Sequence, residues 1–174
     1  MAKFGEVNTA TEMSAAMKTA GGHLSTSVTY ISGAGTAGAD STAQTVKSIA
    51  LAANTLTQIG DRLRVRAYWT GDTGPAITGT TKIGPAGSEV TVSHTTDSGA
   101  ATLQINEAWL HYIDNTTAHV IEVESGGLGA VSAVNVTGFT WNAAQVIIFT
   151  QNSAQDNHAI LYSFILDIFP KGVI

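Results

Sequence analysis

Three arginines alternate with apolar residues in one short segment of the chain. Arg62, Arg64 and Arg66 are separated by Leu63 and Val65, and this period of two is typical of a β-strand whose side chains point alternately to opposite faces. Guanidinium groups bind carboxylates and phosphates through charge-assisted hydrogen bonds. Because the chain has only eight lysines and arginines, three of them on one strand face indicate a surface with a binding partner.

The partner of this arginine face could be of three kinds. Guanidinium groups about 6.6 Å apart could follow the phosphates of an extended nucleic-acid strand, but the net charge of −5 and the lack of interleaved aromatic residues argue against nucleic acid. Pairing with an acidic face such as Glu122 and Glu124, in the same chain or across subunits, is favoured. An ordinary solvated face is the third possibility.

Other motifs with the spacing of active sites are better explained as turns. Gly33, Gly35 and Gly38 have the dinucleotide-binding spacing, but the segments that follow predict strands rather than the strand–helix units such a site needs. The triplets Asp72–Gly74 and Asp97–Gly99 resemble those of aspartic proteases, yet turn-forming residues precede both. No nucleophile-elbow sequence is present. We therefore expect no enzymatic activity and no cofactor.

Histidines offer one candidate metal site. His111 and His119 would approach each other if the segments around them form a hairpin, with Glu122 and Glu124 farther along the second strand. A metal site needs three or more ligands that converge from several elements. Ordinary strand histidines are therefore favoured, and we predict no bound metal.

The tryptophans could stack on sugar rings if they were exposed. Trp69, Trp109 and Trp141 each lie within an alternation of apolar residues, and buried tryptophans in such positions anchor a core. We predict that all three belong to the core.

Composition favours one domain that hides part of its surface in an assembly. The 174 residues are 44% hydrophobic and only 12% charged, about half the usual charged share. The chain has no cysteine, so disulfides and thiolate chemistry are excluded. Its N-terminus has no apolar segment typical of a signal peptide, and the apolar stretch 159–169 is too short and polar to span a bilayer. We expect no membrane partner.

Residues 1–44 are predicted to form an N-terminal arm. Alanine, glycine, serine and threonine dominate this segment, so it can bury little surface alone and is expected to be mostly irregular until a partner or a neighbouring subunit orders it. A short helix near residues 10–20 is predicted from a capping box at Thr9 and Glu12. Met13 and Met17 lie on its apolar stripe and are candidate interface residues.

Residues 45–174 are predicted to form an all-β domain. A period of two recurs between turn-forming segments, and the architecture that fits is a jelly-roll-like antiparallel β-sandwich, with a closed barrel as the near alternative. The predicted strands are 45–51, 62–69, 77–83, 88–93, 102–113, 117–124, 131–140, 144–150 and 159–169.

The last predicted strand is apolar on both faces. Phe164 and Leu166 belong to one face, while Leu161, Ile165 and Phe169 belong to the other. Because only one face of a sandwich sheet meets the core, the second needs another cover. A neighbouring subunit or the N-terminal arm could supply it, and this predicts a homo-oligomer with Leu161, Ile165 and Phe169 as interface candidates.

Three segments carry a resemblance to a known class of proteins: LTQIGDRLRVRA at 56–67, NEAW at 106–109 and IFPKG at 168–172. Over residues 50–172, the chain resembles small β-sandwich virion proteins of tailed bacteriophages. The resemblance implies a capsid decoration, or cement, protein that is made in the host cytoplasm and binds the major capsid protein on the capsid surface as a homotrimer. The alternative it implies is a tail-fibre or receptor-binding domain that binds carbohydrate. The N-terminal arm favours the decoration protein.

Overall fold

The structure is a computed structural model that describes residues 23–26, 31–32, 44–71, 77–97, 103–125, 131–153 and 159–171. In these ranges the chain forms eleven strands and no helix. The strands are β1 (His23–Thr26), β2 (Ile31–Ser32), β3 (Gln44–Leu51), β4 (Arg62–Gly71), β5 (Ile77–Gly84), β6 (Val90–Asp97), β7 (Leu103–Tyr112), β8 (Thr117–Ser125), β9 (Val131–Thr137), β10 (Gln145–Ser153) and β11 (Ala159–Phe169).

The strands form two antiparallel sheets. Sheet A has the order β1-β11-β4-β7-β8-β9, with β2 also paired to β11, and sheet B has the order β3-β10-β5-β6. The inner faces share one hydrophobic core, so the predicted all-β antiparallel sandwich is confirmed. No helix in the described ranges is long and apolar enough to cross a membrane.

All nine predicted strands are present, with small differences at their ends. One of these differences is in β9, which was predicted to reach residue 140 and ends at Thr137. Gly138 follows with a φ of +110°, a conformation that glycine adopts readily. The amides of Gly138 and Phe139 donate hydrogen bonds to the carbonyl oxygen of Thr116, so the chain leaves the sheet at this point.

Two short segments of the predicted arm belong to sheet A. β1 pairs with β11 from His23 opposite Asp167 to Thr26 opposite Phe164, and β2 pairs Ile31 with Leu161. The side of β11 opposite β4 would otherwise carry unpaired backbone groups, so these segments need no alternating apolar pattern to be strands. The predicted helix near 10–20, with Met13 and Met17, lies outside the described residues.

The core follows from the alternation in each strand. On β4, Leu63, Val65, Ala67 and Trp69 are at most 1% exposed, as the sequence predicted. Trp141 is also buried, as predicted, and stacks on the ring of Phe139 with centroids 4.9 Å apart.

A polar bridge joins the two sheets beside Trp69. The indole Nε1 of Trp69 donates to Asn106 Oδ1 at 3.4 Å, and Asn106 Nδ2 donates to the carbonyl oxygen of Gly79 at 3.3 Å. Asn106 lies on β7 of sheet A and Gly79 on β5 of sheet B. Because every member is buried, these bonds satisfy polar groups that water does not reach.

A β-bulge in β11 changes which residues face outward. The register with β4 shifts between Leu161 and Ser163, so Leu161 is 0% exposed while Tyr162 is 62% exposed. The prediction that Leu161 lies on the outer face with Ile165 and Phe169 was therefore wrong, because an unbroken alternation does not anticipate the extra residue of a bulge. Beyond the bulge, Phe164 faces the core.

Candidate functional site

The candidate functional site is the outer face of sheet A, on the side of β4 that carries the three arginines. The strand register places each arginine between one residue of β11 and one of β7. The rows across these strands are Phe169–Arg62–His111, Asp167–Arg64–Trp109 and Ile165–Arg66–Glu107. The sheet thus positions the predicted residues Ile165 and Phe169 next to the arginine face.

Arg64 forms an ion pair inside the chain. Its guanidinium contacts the carboxylate of Asp167 on β11, and the side chains are 24% and 3% exposed, respectively. The guanidinium carbon also lies 5.3 Å from the ring centroid of Trp109 on β7, within the range of a cation–π interaction. Arg64 is therefore held by both neighbouring strands, and its charge is neutralised beneath the surface.

Arg66 is paired in the same way. It forms an ion pair with Glu107 of β7, whose side chain is 9% exposed, and its guanidinium lies 3.4 Å from the hydroxyl of Tyr68. The hydrogen bond with Tyr68 raises the pKa of Arg66; burial opposes this effect, and the ion pair with Glu107 adds to it. Glu107 also accepts a hydrogen bond from the indole nitrogen of Trp109, so one carboxylate orients two side chains of the face.

Arg62 lacks such a carboxylate. Its cross-strand neighbours are Phe169 and His111, and its guanidinium carbon lies 5.6 Å from the centroid of the Phe169 ring. Among the residues that the structure describes, it forms no ion pair. Burial lowers the pKa of His111, and the charges of Arg62 and His119 lower it further, so the neutral imidazole is favoured beside the arginine.

The acidic partners that the sequence suggested are elsewhere. Glu122 accepts a hydrogen bond from the backbone N–H of His94 at 2.6 Å and lies 2.8 Å from its Nδ1. This contact joins β8 of sheet A to β6 of sheet B, away from the arginines. Within the chain, therefore, the arginines do not pair with Glu122, and that form of the prediction was wrong. Glu124 lies in register with Asn106.

The true partners, Glu107 and Asp167, carried only a weak signal in the sequence. Glu107 alternates with Trp109 and His111, which marks one outward face of β7, and Asp167 interrupts an apolar strand. Their pairing with Arg66 and Arg64 depends on strand order and register, which a pattern of period two does not determine.

The histidine pair does not form a metal site with the predicted acids. His111 and His119 lie in register on β7 and β8, as the hairpin predicted, and His119 Nδ1 lies 2.8 Å from Asn135 Oδ1. Glu122 is engaged with His94 instead. The described part of the chain contains no group of three or more potential metal-ligating side chains.

Trp109 corrects the prediction that all three tryptophans belong to the core. It is half-buried and lies on the outer face of β7 together with Glu107, two positions away, whereas Ala108 between them points into the core. Its ring stacks on Phe169 with centroids 5.5 Å apart. Phe169 and Trp109 come from strands on either side of β4, so their contact passes across the arginine strand.

An aliphatic margin continues this face toward β8. Ile121 is in register with Trp109, and Val123 with Glu107; Val123 is 38% exposed. The outer face of sheet A thus combines arginine, aromatic and aliphatic side chains. Arginine and aromatic residues are enriched in protein–protein interfaces and at their energetic centres.

Asp61 holds together the strand ends at one edge of this face through hydrogen bonds to its buried carboxylate. Its buried carboxylate accepts hydrogen bonds from the backbone N–H groups of Thr57 (2.8 Å), Gln58 (3.2 Å) and Lys171 (2.8 Å). Lys171 follows β11 closely, so these bonds tie the start of β4 to the end of β11. They thereby position Arg62 beside Phe169.

The Asp61 carboxylate should make stability depend on pH. Burial raises its pKa, but the hydrogen bonds from Lys171, Thr57 and Gln58 together outweigh burial and leave the pKa lowered. The folded state therefore binds this proton more weakly than the unfolded state, so the contribution is complete above the unfolded pKa of about 4 and is lost as pH falls through the folded pKa.

We expect Asp61→Asn to cost about 2 kcal/mol of unfolding free energy at pH 7, because charged hydrogen-bond acceptors are worth more than neutral ones. The difference from wild type should shrink as the pH is lowered from 5 to 2. Urea unfolding measured across this range tests the expectation. Parallel stability curves for the two proteins would contradict it.

Comparisons with known proteins give likeness to solved structures alone. No protein-family profile matches the sequence, and no curated protein matches it. The chain is similar to the CBM2 module of the evolved Dit protein of Lactobacillus casei BL23 phage J-1, with 10% sequence identity and a TM-score of 0.38 over 71% of this chain and 69% of that one. A likeness at this level assigns neither a family nor a function.

Proposed function

We propose that this chain is a structural virion protein, a capsid decoration or cement protein that binds and stabilises the head of a tailed bacteriophage. The observation that supports a binding role is the outer face of sheet A, which presents arginine, aromatic and aliphatic side chains together. Buried carboxylates hold two of its arginines, Arg64 and Arg66, in place. The sequence resemblance to β-sandwich virion proteins supports the virion as the place where this face is used.

The proposed mechanism is binding alone. Arg64 and Arg66 are already held by Asp167 and Glu107, so little side-chain entropy remains to be lost when a partner covers them. Burial of Trp109, Phe169 and the aliphatic margin removes apolar surface from water, which stabilises an interface by roughly 25 cal/mol per Å² before the costs of association. A clamp of this kind would hold neighbouring capsid subunits together.

Assembly as a homotrimer, with the major capsid protein as partner, belongs to the same proposal. Ile165 and Phe169 lie on the outer face and are only partly covered within the chain, and Tyr162 next to the bulge is 62% exposed. These residues offer apolar surface to a neighbouring subunit. The low charged share of the chain, 12%, also favours a protein with much of its surface in contact.

Deleting the coding sequence from the phage genome tests the proposal. We expect heads to assemble without the protein but to release their DNA at a lower temperature than wild-type heads, and we expect purified protein added back to restore the difference. The measurement is DNA release on heating, followed with a dye that does not enter intact heads.

The composition of the wild-type and deletion particles provides the control. Mass spectrometry of purified wild-type particles should detect the protein, and unrelated head proteins should be present in equal amounts in both. Wild-type particles without the protein, or deletion particles with unchanged heat stability, would contradict a stabilising role. Unchanged heat stability combined with lost adsorption to the host would instead support the receptor-binding alternative.

A further inference from the structure

The three arginines of β4 differ in whether the chain neutralises them. Arg64 pairs with Asp167 and Arg66 with Glu107, each from a neighbouring strand. At the equivalent positions beside Arg62 stand Phe169 and His111. The repeat of arginine opposite carboxylate is therefore broken at one position only, at the end of the strand nearest Asp61.

The described surroundings of Arg62 leave its hydrogen-bond donors available to another molecule. The guanidinium lies over the ring of Phe169, and such stacking uses the flat face of the group while the N–H donors at its edge stay available. Asp61, next in the chain, does not compete, because its buried carboxylate is engaged with Thr57, Gln58 and Lys171.

Among the described residues, no charged or titratable neighbour of Arg62 opposes an anion at this position. His111 of β7 lies directly beside Arg62, and His119 of β8 follows in the same row. Asn135 of β9, which is polar and uncharged, completes the row. Described residues of this row thus include one arginine and two histidines and no carboxylate.

We infer that Arg62 binds a carboxylate of a partner protein subunit, and that this pair sets the register of the partner on the outer face of sheet A. The inference rests on the proposed function, since it supposes that a virion protein covers this face. A carboxylate is the ligand chemistry that the chain itself supplies to the two equivalent arginines. Paired hydrogen bonds from a stacked guanidinium give such a contact geometric specificity.

The structure also distinguishes Arg62 from its neighbours by what its loss would do. Removing Arg64 or Arg66 leaves a buried carboxylate of the chain unpaired, whereas removing Arg62 leaves none unpaired among the residues that the structure describes. Replacement of Arg62 should therefore weaken partner binding with little change in the fold. Replacement of Arg64 or Arg66 should instead lower the stability of the fold more than it weakens partner binding.

The test uses purified protein and phage particles that lack it. Wild type, Arg62→Gln and Arg62→Lys are titrated onto deletion particles, and bound protein is measured after sedimentation. We expect Arg62→Gln to raise the dissociation constant at least about tenfold, as loss of a partly desolvated interface pair does. Arg62→Lys should give an intermediate value because it keeps the charge and loses the paired donors.

Three results separate the possible failures. Thermal unfolding of Arg62→Gln should stay close to that of wild type, which shows that weaker binding does not come from misfolding. Equal affinity of wild type and Arg62→Gln, with equal dependence on salt, would overturn the inference while leaving the proposed function intact. Failure of wild type itself to bind the deletion particles would overturn the proposed function and this inference together.

Discussion

Truncating Trp69 to alanine should cost about 4 kcal/mol of unfolding free energy, the upper part of the range for large core aromatic residues. The side chain is 0% exposed, and its indole nitrogen donates to Asn106. The substitution removes a fully buried indole that lies against Gly79 of sheet B and leaves the Asn106 oxygen without this donor. Urea unfolding, with the midpoint and slope both recorded, gives the value.

A second substitution tests the same contact from the other sheet. A Cβ added at Gly79 would lie 2.5 Å from indole atoms of Trp69, closer than packed atoms approach, and the rigid ring cannot rotate away as a flexible side chain could. We expect Gly79→Ala to cost about 2 kcal/mol, within the range for overpacked cores. Thr80→Ala, at the next position on β5, should change stability by less than about 0.5 kcal/mol.

Two outcomes would contradict the packing of Trp69 against sheet B. If Gly79→Ala and Thr80→Ala have the same stability, the indole of Trp69 does not lie against the backbone of β5. If Trp69→Ala costs less than about 1 kcal/mol, Trp69 does not occupy the core between the sheets.

Replacing Arg64 with glutamine should be the second large effect, at about 3 kcal/mol. Breaking a buried ion pair is costly because the remaining charge has neither a partner nor water, and the side chain of Asp167 is only 3% exposed. We take the low end of the usual range because the side chain of Arg64 is 24% exposed. The expected loss therefore comes mainly from the stranded carboxylate.

Arg62→Gln is the matched control for this prediction. Arg62 lies on the same strand face, but of its contacts with described side chains the one at risk is that with Phe169, and we expect a cost of about 0.5 kcal/mol. A double variant, Arg64→Gln with Asp167→Asn, should recover part of the loss because the stranded charge is removed. Equal costs for Arg62→Gln and Arg64→Gln would show that the Asp167 pair adds nothing to stability.

The strands and their inward faces were predictable because they depend on local alternation. On β4, the apolar positions at Leu63, Val65 and Trp69 face the core in the structure as they did in the pattern. The same reasoning failed for Leu161, because one bulged residue reverses the alternation along the rest of the strand. It also failed for Trp109, because Ala108 and not Trp109 lies on the inward face of β7.

The partners of the arginine face were not predictable for a different reason. Glu107 is 41 residues from Arg66, and Asp167 is farther still from Arg64. Their contact requires that β11 and β7 flank β4 in one particular register. Local sequence determines neither strand order nor register. The sequence therefore could not select the partners of the arginines among the acidic residues, Glu122 and Glu124 included. Once the register is known, the absence of a carboxylate beside Arg62 among the described residues follows directly.

We propose that this protein binds the outer surface of a phage head and stabilises it, and the most direct test is a comparison of two electron cryo-microscopy maps. Particles with and without the protein are imaged under identical conditions, and the maps are subtracted. We predict difference density on the outer surface of the head, between capsid subunits and large enough for this β-sandwich. Difference density at the tail, with an unchanged head surface, would contradict the claim.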